Sequence, residues 1–169
     1  MGLMPLNKSA ALVLAVDPGV SGGMALYQRS TGDIVLRKWT TESDYLSFLK
    51  PLLTDSRLGS TPWESDMQCE AVIEDVPPFV AAATSNASSF KLGFNFGFHV
   101  GALRAIAVPT HLVRPKKWQA GLRGLKPNMG TTARKRMLKD NAIRLYPGLG
   151  GITNATADAL LILDWWLNR

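Results

Sequence analysis

Cysteine is nearly missing from this 169-residue chain: Cys69 stands alone, so no disulfide within the chain can staple the fold. Stability must come from a packed core, and a chain of this length can bury one as a single domain over 1–169. Histidine is almost as scarce, with only His99 and His111, so no cysteine and histidine cluster of zinc spacing is available. No apolar run approaches a membrane span, and the first residues lack the apolar stretch and cleavage site of a signal peptide. The expectation is a soluble protein of a reducing interior, cytoplasmic or organellar, and not secreted. The most informative absence is of negative charge. Between Asp75 and Asp140 there is no acid, while Lys91, Arg104, Arg114, Lys116, Lys117, Arg123, Lys126, Arg134, Lys135, Arg136 and Lys139 fall there. A one-sign segment of this kind neutralises phosphates and releases counterions, which points to a polyanionic partner. The plainer alternative is a solvated basic face that maintains solubility.

Hydrophobic patterning outlines the elements. Residues 10–16 form a short apolar run stopped by Asp17, Pro18 and Gly19, as in a buried strand ending in a turn. Strands at 22–27 and 33–39, separated by Thr31-Gly32-Asp33, complete an antiparallel meander. Residues 42–53 carry apolar side chains at helical spacing behind a capping Thr41. A polar connection over 54–68 leads to a buried strand at 71–76, stopped by Pro77-Pro78. Over 88–107 the period is helical, with Phe90, Phe94 and Phe98 four apart beside Gly93, Gly97 and Gly101. Three helical glycines cost about 1 kcal/mol each relative to alanine, so close packing must compensate, either on the sheet or against a second subunit. A strand at 110–113, a short helical or irregular passage over 115–122 and a mobile glycine-rich loop over 121–130 follow. A basic helix capped by Thr131 or Thr132 then runs through Tyr146, and a last apolar helix starts near Thr153 or Asn154. The expected architecture is α/β, with a mixed five-stranded sheet flanked by helices. Such sheets host kinases, ATPases and nucleases alike.

Three acids sit where a charge is costly. Asp17 closes the first strand, Glu74 lies inside the apolar AVIEDV, and Asp158 stands between two alanines on the last helix. Buried carboxylates are normally paired or metal-bound, and an all-oxygen donor set favours Mg²⁺ or Mn²⁺. Alone, Asp17 could cap its own turn and Asp158 could pair with a basic residue. Strand alternation lets only one of Glu74 and Asp75 point with Asp17. Together, two neighbouring strands and a returning helix can gather three carboxylates around two divalent ions for phosphodiester hydrolysis.

The string VLAVDPGVSGGMALY, with AVIEDVPPF and ATADALLIL in the same order, resembles the RuvC family of Holliday junction resolvases. The likeness runs along most of the chain, and GFNFGFHVGALRAI, HLVRPKKWQ and TTARKR look nearer the plastid and viral branch. It implies a ribonuclease-H-like fold and a homodimer that makes paired nicks in a four-way junction using Mg²⁺, with Mn²⁺ able to substitute. Asp17, Glu74 and Asp158 are then metal ligands. Phe79 falls where the family has an aromatic residue that stacks on unpaired bases, and Lys116, Lys117, Arg123, Lys126, Arg134, Lys135 and Arg136 are candidate DNA contacts. One departure stands out: the family's fourth ligand, three residues before the last aspartate, is here Ala155. Asn154, four residues before Asp158 and so on its helical face, is the candidate substitute. Other readings are a non-catalytic branched-DNA-binding protein and a flap or RNA-cleaving nuclease of the same fold. An actin-like phosphotransferase or ATPase ranks last, because the chain offers no second phosphate loop.

Overall fold

A computed structural model describes residues 10–53, 69–76 and 85–169. Its centre is one mixed sheet of five strands in the order β3-β2-β1-β4-β5. Strands β1 (Leu12–Asp17), β2 (Gly23–Gln28) and β3 (Asp33–Lys38) form the expected meander, whereas β4 (Cys69–Glu74) runs parallel to β1, and β5 (Thr110–Val113) parallel to β4. The central β1 is apolar on both faces because both are covered. Val13 and Ala15 join one core with Val72 of β4 and the last helix, while Leu14 and Val16 join the other with Ala71 and Ile73. On the second face lie α1 (Glu42–Leu53) and α2 (Asn86–Ala105), with Thr41 Oγ1 accepting from the Asp44 N–H at 3.2 Å as the cap of α1. On the first lie α3 (Pro115–Trp118), α4 (Thr131–Leu145) and α5 (Ala157–Leu167). Helix α5 is apolar almost all round because the sheet covers one side and α4 another. Among the described residues no helix is long and apolar enough to cross a membrane.

Several details depart from expectation, each for a local reason. Helix α4 takes Gly130, not Thr131 or Thr132, as its N-cap, because both threonines are already inside the helix and Gly130 supplies the extended backbone. Helix α5 starts at Ala157 rather than near Thr153 or Asn154. There the hydroxyls bond locally instead: Thr156 Oγ1 donates to the Gly151 carbonyl at 2.7 Å and accepts from the Thr153 N–H at 2.9 Å, holding 153–156 as a turn. The glycines of α2 are not packed on the sheet. A Cβ added at Gly93, Gly97 or Gly101 would meet no atom of the described residues within 4 Å, and Phe90 and Phe94 stack on each other, exposed, beside them. Of these three phenylalanines Phe98 turns inward, against Trp39 and Tyr45.

Helix α2 ends with Ala107 in the left-handed region at φ 56°, where the Val108 N–H reaches back to the Leu103 carbonyl at 2.9 Å. That conformation costs a residue with a Cβ roughly 1–2 kcal/mol, partly offset by glycine's greater freedom when unfolded. Ala107→Gly at this exposed site is expected to stabilise the protein by about 0.5–1 kcal/mol, a rise of about 2 °C in melting temperature. A lower urea midpoint would contradict this account of the cap.

Candidate active site

Strand parity builds the site. Along β1, Val13, Ala15 and Asp17 share the face toward α5; along β4, Glu70, Val72 and Glu74 do. The two strands are parallel with Val16 beside Ile73, so Asp17 and Glu74 emerge side by side at their carboxyl ends. Asp75 goes to the other side and pairs with Arg114 at 3.7 Å. Asp158, in the first turn of α5, is delivered to the same place because α5 packs across this face.

The turn after Asp17 is drawn tightly around it. Asp17 Oδ1 accepts from the Gly19 N–H at 2.9 Å, so the turn-capping role expected of this residue is present. Its other oxygen remains available to the site. A Cβ on Gly22 would lie 2.1 Å from the Asp17 carbonyl, and one on Gly23 would lie 2.5 Å from the Ala155 carbonyl. The SGG step therefore lets the chain double back under Asp17 and lets the turn before α5 settle on β2.

Two residues that sequence reasoning had not placed here complete the cluster. Lys135 Nζ lies 2.6 Å from Asp158 Oδ2 and 3.7 Å from Asp17 Oδ2, bridging the two acids. Trp118 Nε1 donates to Glu74 Oε2 at 3.0 Å. Lys135 had been read only as a nucleic-acid contact, yet a signal existed. It lies three and seven residues before the buried Leu138 and Ala142, on the inward stripe of α4, where a lysine needs an anion. Trp118 had no local signal, since its partner is 44 residues away.

The electrostatics follow from crowding. Burial, then the charges of Asp17 and Asp158, push the Glu74 carboxyl up to about 8, against the opposing pull of the Trp118 hydrogen bond and Lys135. Asp158 is raised too, by burial and then by Asp17, though Lys135 offsets part of the effect. For Lys135, burial works against the charge, but Asp158 and Asp17 outweigh it and the ammonium is held above its ordinary value. Asp158 Oδ1 is buried with no hydrogen-bond partner among the described residues. Among the described residues no three acid, histidine or cysteine side chains close on one point as a ready-made metal cage.

The remaining sequence-predicted residues divide. Lys116 and Lys117 on α3, Arg123 and Lys126 in the following loop and Arg136 on α4 are exposed, Arg136 beside Asp140 at 4.0 Å. Arg134 is half-buried and donates to Gln119 Oε1, tying α4 to the end of α3. Asn154 is exposed in the turn that leads into α5, outside the helix itself. Ala155 precedes the helix as well. Phe79 lies outside the described residues.

No protein-family model and no curated protein sequence matches this chain. Among solved structures, Thermus thermophilus RuvC in complex with a Holliday junction substrate aligns with a TM-score of 0.50 and 16% identity, over 93% of this chain and 94% of that one. A second Thermus thermophilus RuvC structure aligns with a TM-score of 0.47 and 17% identity, over 93% and 95%. At 16% identity the first likeness speaks to fold alone: the mixed five-stranded sheet and its flanking helices have the ribonuclease-H-like arrangement.

Proposed function

We propose that this chain is a single ribonuclease-H-like nuclease domain and a structure-selective DNA endonuclease, which resolves four-way junctions by paired, symmetric, metal-dependent nicks. The observation that carries this reading is the convergence of Asp17, Glu74 and Asp158, from two parallel strands and a helix, around Lys135. The acid-free segment supplies exposed Lys116, Lys117, Arg123, Lys126 and Arg136 for phosphates. The RuvC-like string and order of acids support the family reading, GFNFGFHVGALRAI, HLVRPKKWQ and TTARKR support a place nearer its plastid and viral branch, and Phe79 is the proposed base-stacking residue.

The donor set fits Mg²⁺, with Mn²⁺ as substitute and two ions per site. All donors are hard oxygens, Asp158 Oδ1 is a buried acceptor without a partner among the described residues, and the Lys135 ammonium already stands as a cation between Asp17 and Asp158. Asp17, Glu74 and Asp158 would hold the ions. When bound, they supply Lewis-acid activation of water and neutralise charge on the phosphodiester. The chain's own residues do the rest. The Trp118 indole fixes the Glu74 carboxyl, the Asp17 turn fixes its carboxylate through Gly19, and Lys135 offers a positive charge to the scissile phosphate.

Two symmetric nicks require two sites, and the solvent face of α2 is the proposed dimer surface. Gly93, Gly97 and Gly101 leave it bare of side chains, while Phe90 (75% exposed) and Phe94 (51%) offer apolar area. Sedimentation of the free protein measures whether it dimerises.

The test is a labelled four-way junction with Mg²⁺, for which the expected product is a pair of nicks at symmetry-related positions. Equal cleavage of linear duplex would point to a different nuclease of this fold. Ala155, standing where the resembled family has its fourth ligand, favours a second reading, a branched-DNA-binding protein without catalysis. Junction binding with no cleavage in either Mg²⁺ or Mn²⁺ would select it.

A further inference from the structure

The segment between α3 and α4 departs from the loose loop that its glycines implied. Its main chain is held by one buried side chain, Asn141 of α4, which is 3% exposed. Asn141 Oδ1 accepts from the Arg123 N–H at 3.0 Å, while Nδ2 donates to the Arg123 carbonyl at 2.9 Å and to the Met137 carbonyl at 2.9 Å. The amide thus grips both polar groups of one residue, as a neighbouring strand would, and Arg144 donates a further bond to Oδ1 at 3.2 Å. Few buried polar side chains are so fully used, and an asparagine in a helix interior is otherwise a poor choice.

The loop around this clamp alternates. Leu122 and Leu125 pack onto the core below α5, Gly124 lies against Met137, and Arg123 and Lys126 stand exposed. Gly124 has φ +77°, a conformation that L side chains rarely adopt, and a Cβ there would lie 2.8 Å from Met137 Sδ and push that flexible side chain aside. The Arg134 to Gln119 bond closes the base. The loop is therefore a rigid arm, and Lys135, six residues before Asn141 on α4, links the same helix to the acid cluster.

We propose that Asn141 is a positioning residue, whose amide locks the Arg123 arm so that Arg123 and Lys126 grip a backbone phosphate of the nucleic acid beside the acid cluster. This rests on the nuclease reading for the identity of the site, but asks only for a phosphodiester chain as ligand. A pre-set arm loses no loop entropy on binding, which is the advantage of building it rigidly.

The test compares wild type, Arg123→Ala, Asn141→Leu and Gly124→Ala for binding to a four-way junction, a linear duplex and a single strand over a range of salt. Removing one phosphate contact is expected to lower the slope of log K against log salt by about 0.9 on duplex or junction. Arg123→Ala should show this loss. Asn141→Leu and Gly124→Ala should show it too, although both retain the Arg123 charge, and Asn141→Leu combined with Arg123→Ala should be no worse than either alone. Amide exchange at Arg123 should quicken in Asn141→Leu, and cleavage at saturating junction should remain within about twofold while KM rises. An unchanged salt slope and KM in Asn141→Leu and Gly124→Ala, or an unchanged slope in Arg123→Ala, would overturn the proposal. Gly124→Ala keeps the question open to decision if Asn141→Leu does not fold. The same pattern on duplex or single strand, without junction preference or cleavage, would sink the junction-resolving reading and leave the arm standing.

Discussion

Asp17→Asn is expected to slow junction cleavage by about a thousandfold, roughly 4 kcal/mol of transition-state stabilisation, while junction affinity stays within about threefold of the parent. The substitution is nearly isosteric, and the bond from the Gly19 N–H to Asp17 Oδ1 can be kept by the amide oxygen, so the turn that shapes the site survives. What is lost is charge. Asp17 faces Lys135 at 3.7 Å and repels both Glu74 and Asp158. An amide would ease that repulsion and with it the reason for a divalent cation to enter. The folded protein should accordingly be no less stable, and its thermal stabilisation by Mn²⁺ should shrink. Single-turnover cleavage of a labelled junction, with a gel-shift for affinity and melting curves with and without Mn²⁺, separates these effects. Cleavage surviving within tenfold would remove Asp17 from the chemistry. Loss of junction binding in parallel would mean that the substitution had disturbed the basic surface instead.

The trio of acids was legible in the sequence because each fact needed to find it is local. A charge at the end of an apolar run, period-two alternation and one returning helix are enough to place Asp17, Glu74 and Asp158 together. What escaped is what depends on distant partners. Strand β4 begins at Cys69, earlier than the apolar run from residue 71 implied, and so takes in the charged Glu70. It is in fact buried, accepting from Trp166 Nε1 at 2.9 Å across 96 residues, with His111 Nε2 at 3.8 Å. The rigidity of the Arg123 arm escaped for the same reason, since its glycines read as freedom until Asn141 is seen to hold them. The glycine stripe of α2 carried a real signal, a helix stripped of side chains on one face. Its inward alternative failed because the sheet-facing residues of α2 are Asn95, His99, Val100 and Leu103 instead.

His99 leads to the second large effect. It is fully buried on the inner face of α2, edge-on to Tyr45 at 4.4 Å and to Trp39 at 4.6 Å between ring centroids, and neither ring nitrogen has a hydrogen-bond partner among the described residues. Burial holds its pKa down at about 4, from an ordinary 6.5. Because the folded value is the lower one, the unfolded chain takes up a proton first as pH falls. The contribution of the neutral ring is complete above about pH 6.5, declines as pH drops from there toward 4, and levels off below. Between pH 7.5 and pH 4.5 the loss is about 2.5 kcal/mol, or about 5–10 °C in melting temperature. Glu74 works in the opposite direction, since its raised value makes the fold gain from protonation below about 8, so the wild-type profile alone mixes the two. His99→Leu, close in volume, isolates the histidine: its advantage over wild type should grow by about 2.5 kcal/mol from pH 7.5 to pH 4.5, measured by urea unfolding. At pH 7.5 the two should nearly match, because relief of two unpaired nitrogens offsets the lost ring contacts. Parallel pH profiles would mean that His99 titrates normally. The loosening should begin in α2, which buries few residues on the sheet, so acid should also disperse any association through Phe90 and Phe94 before the sheet itself unfolds.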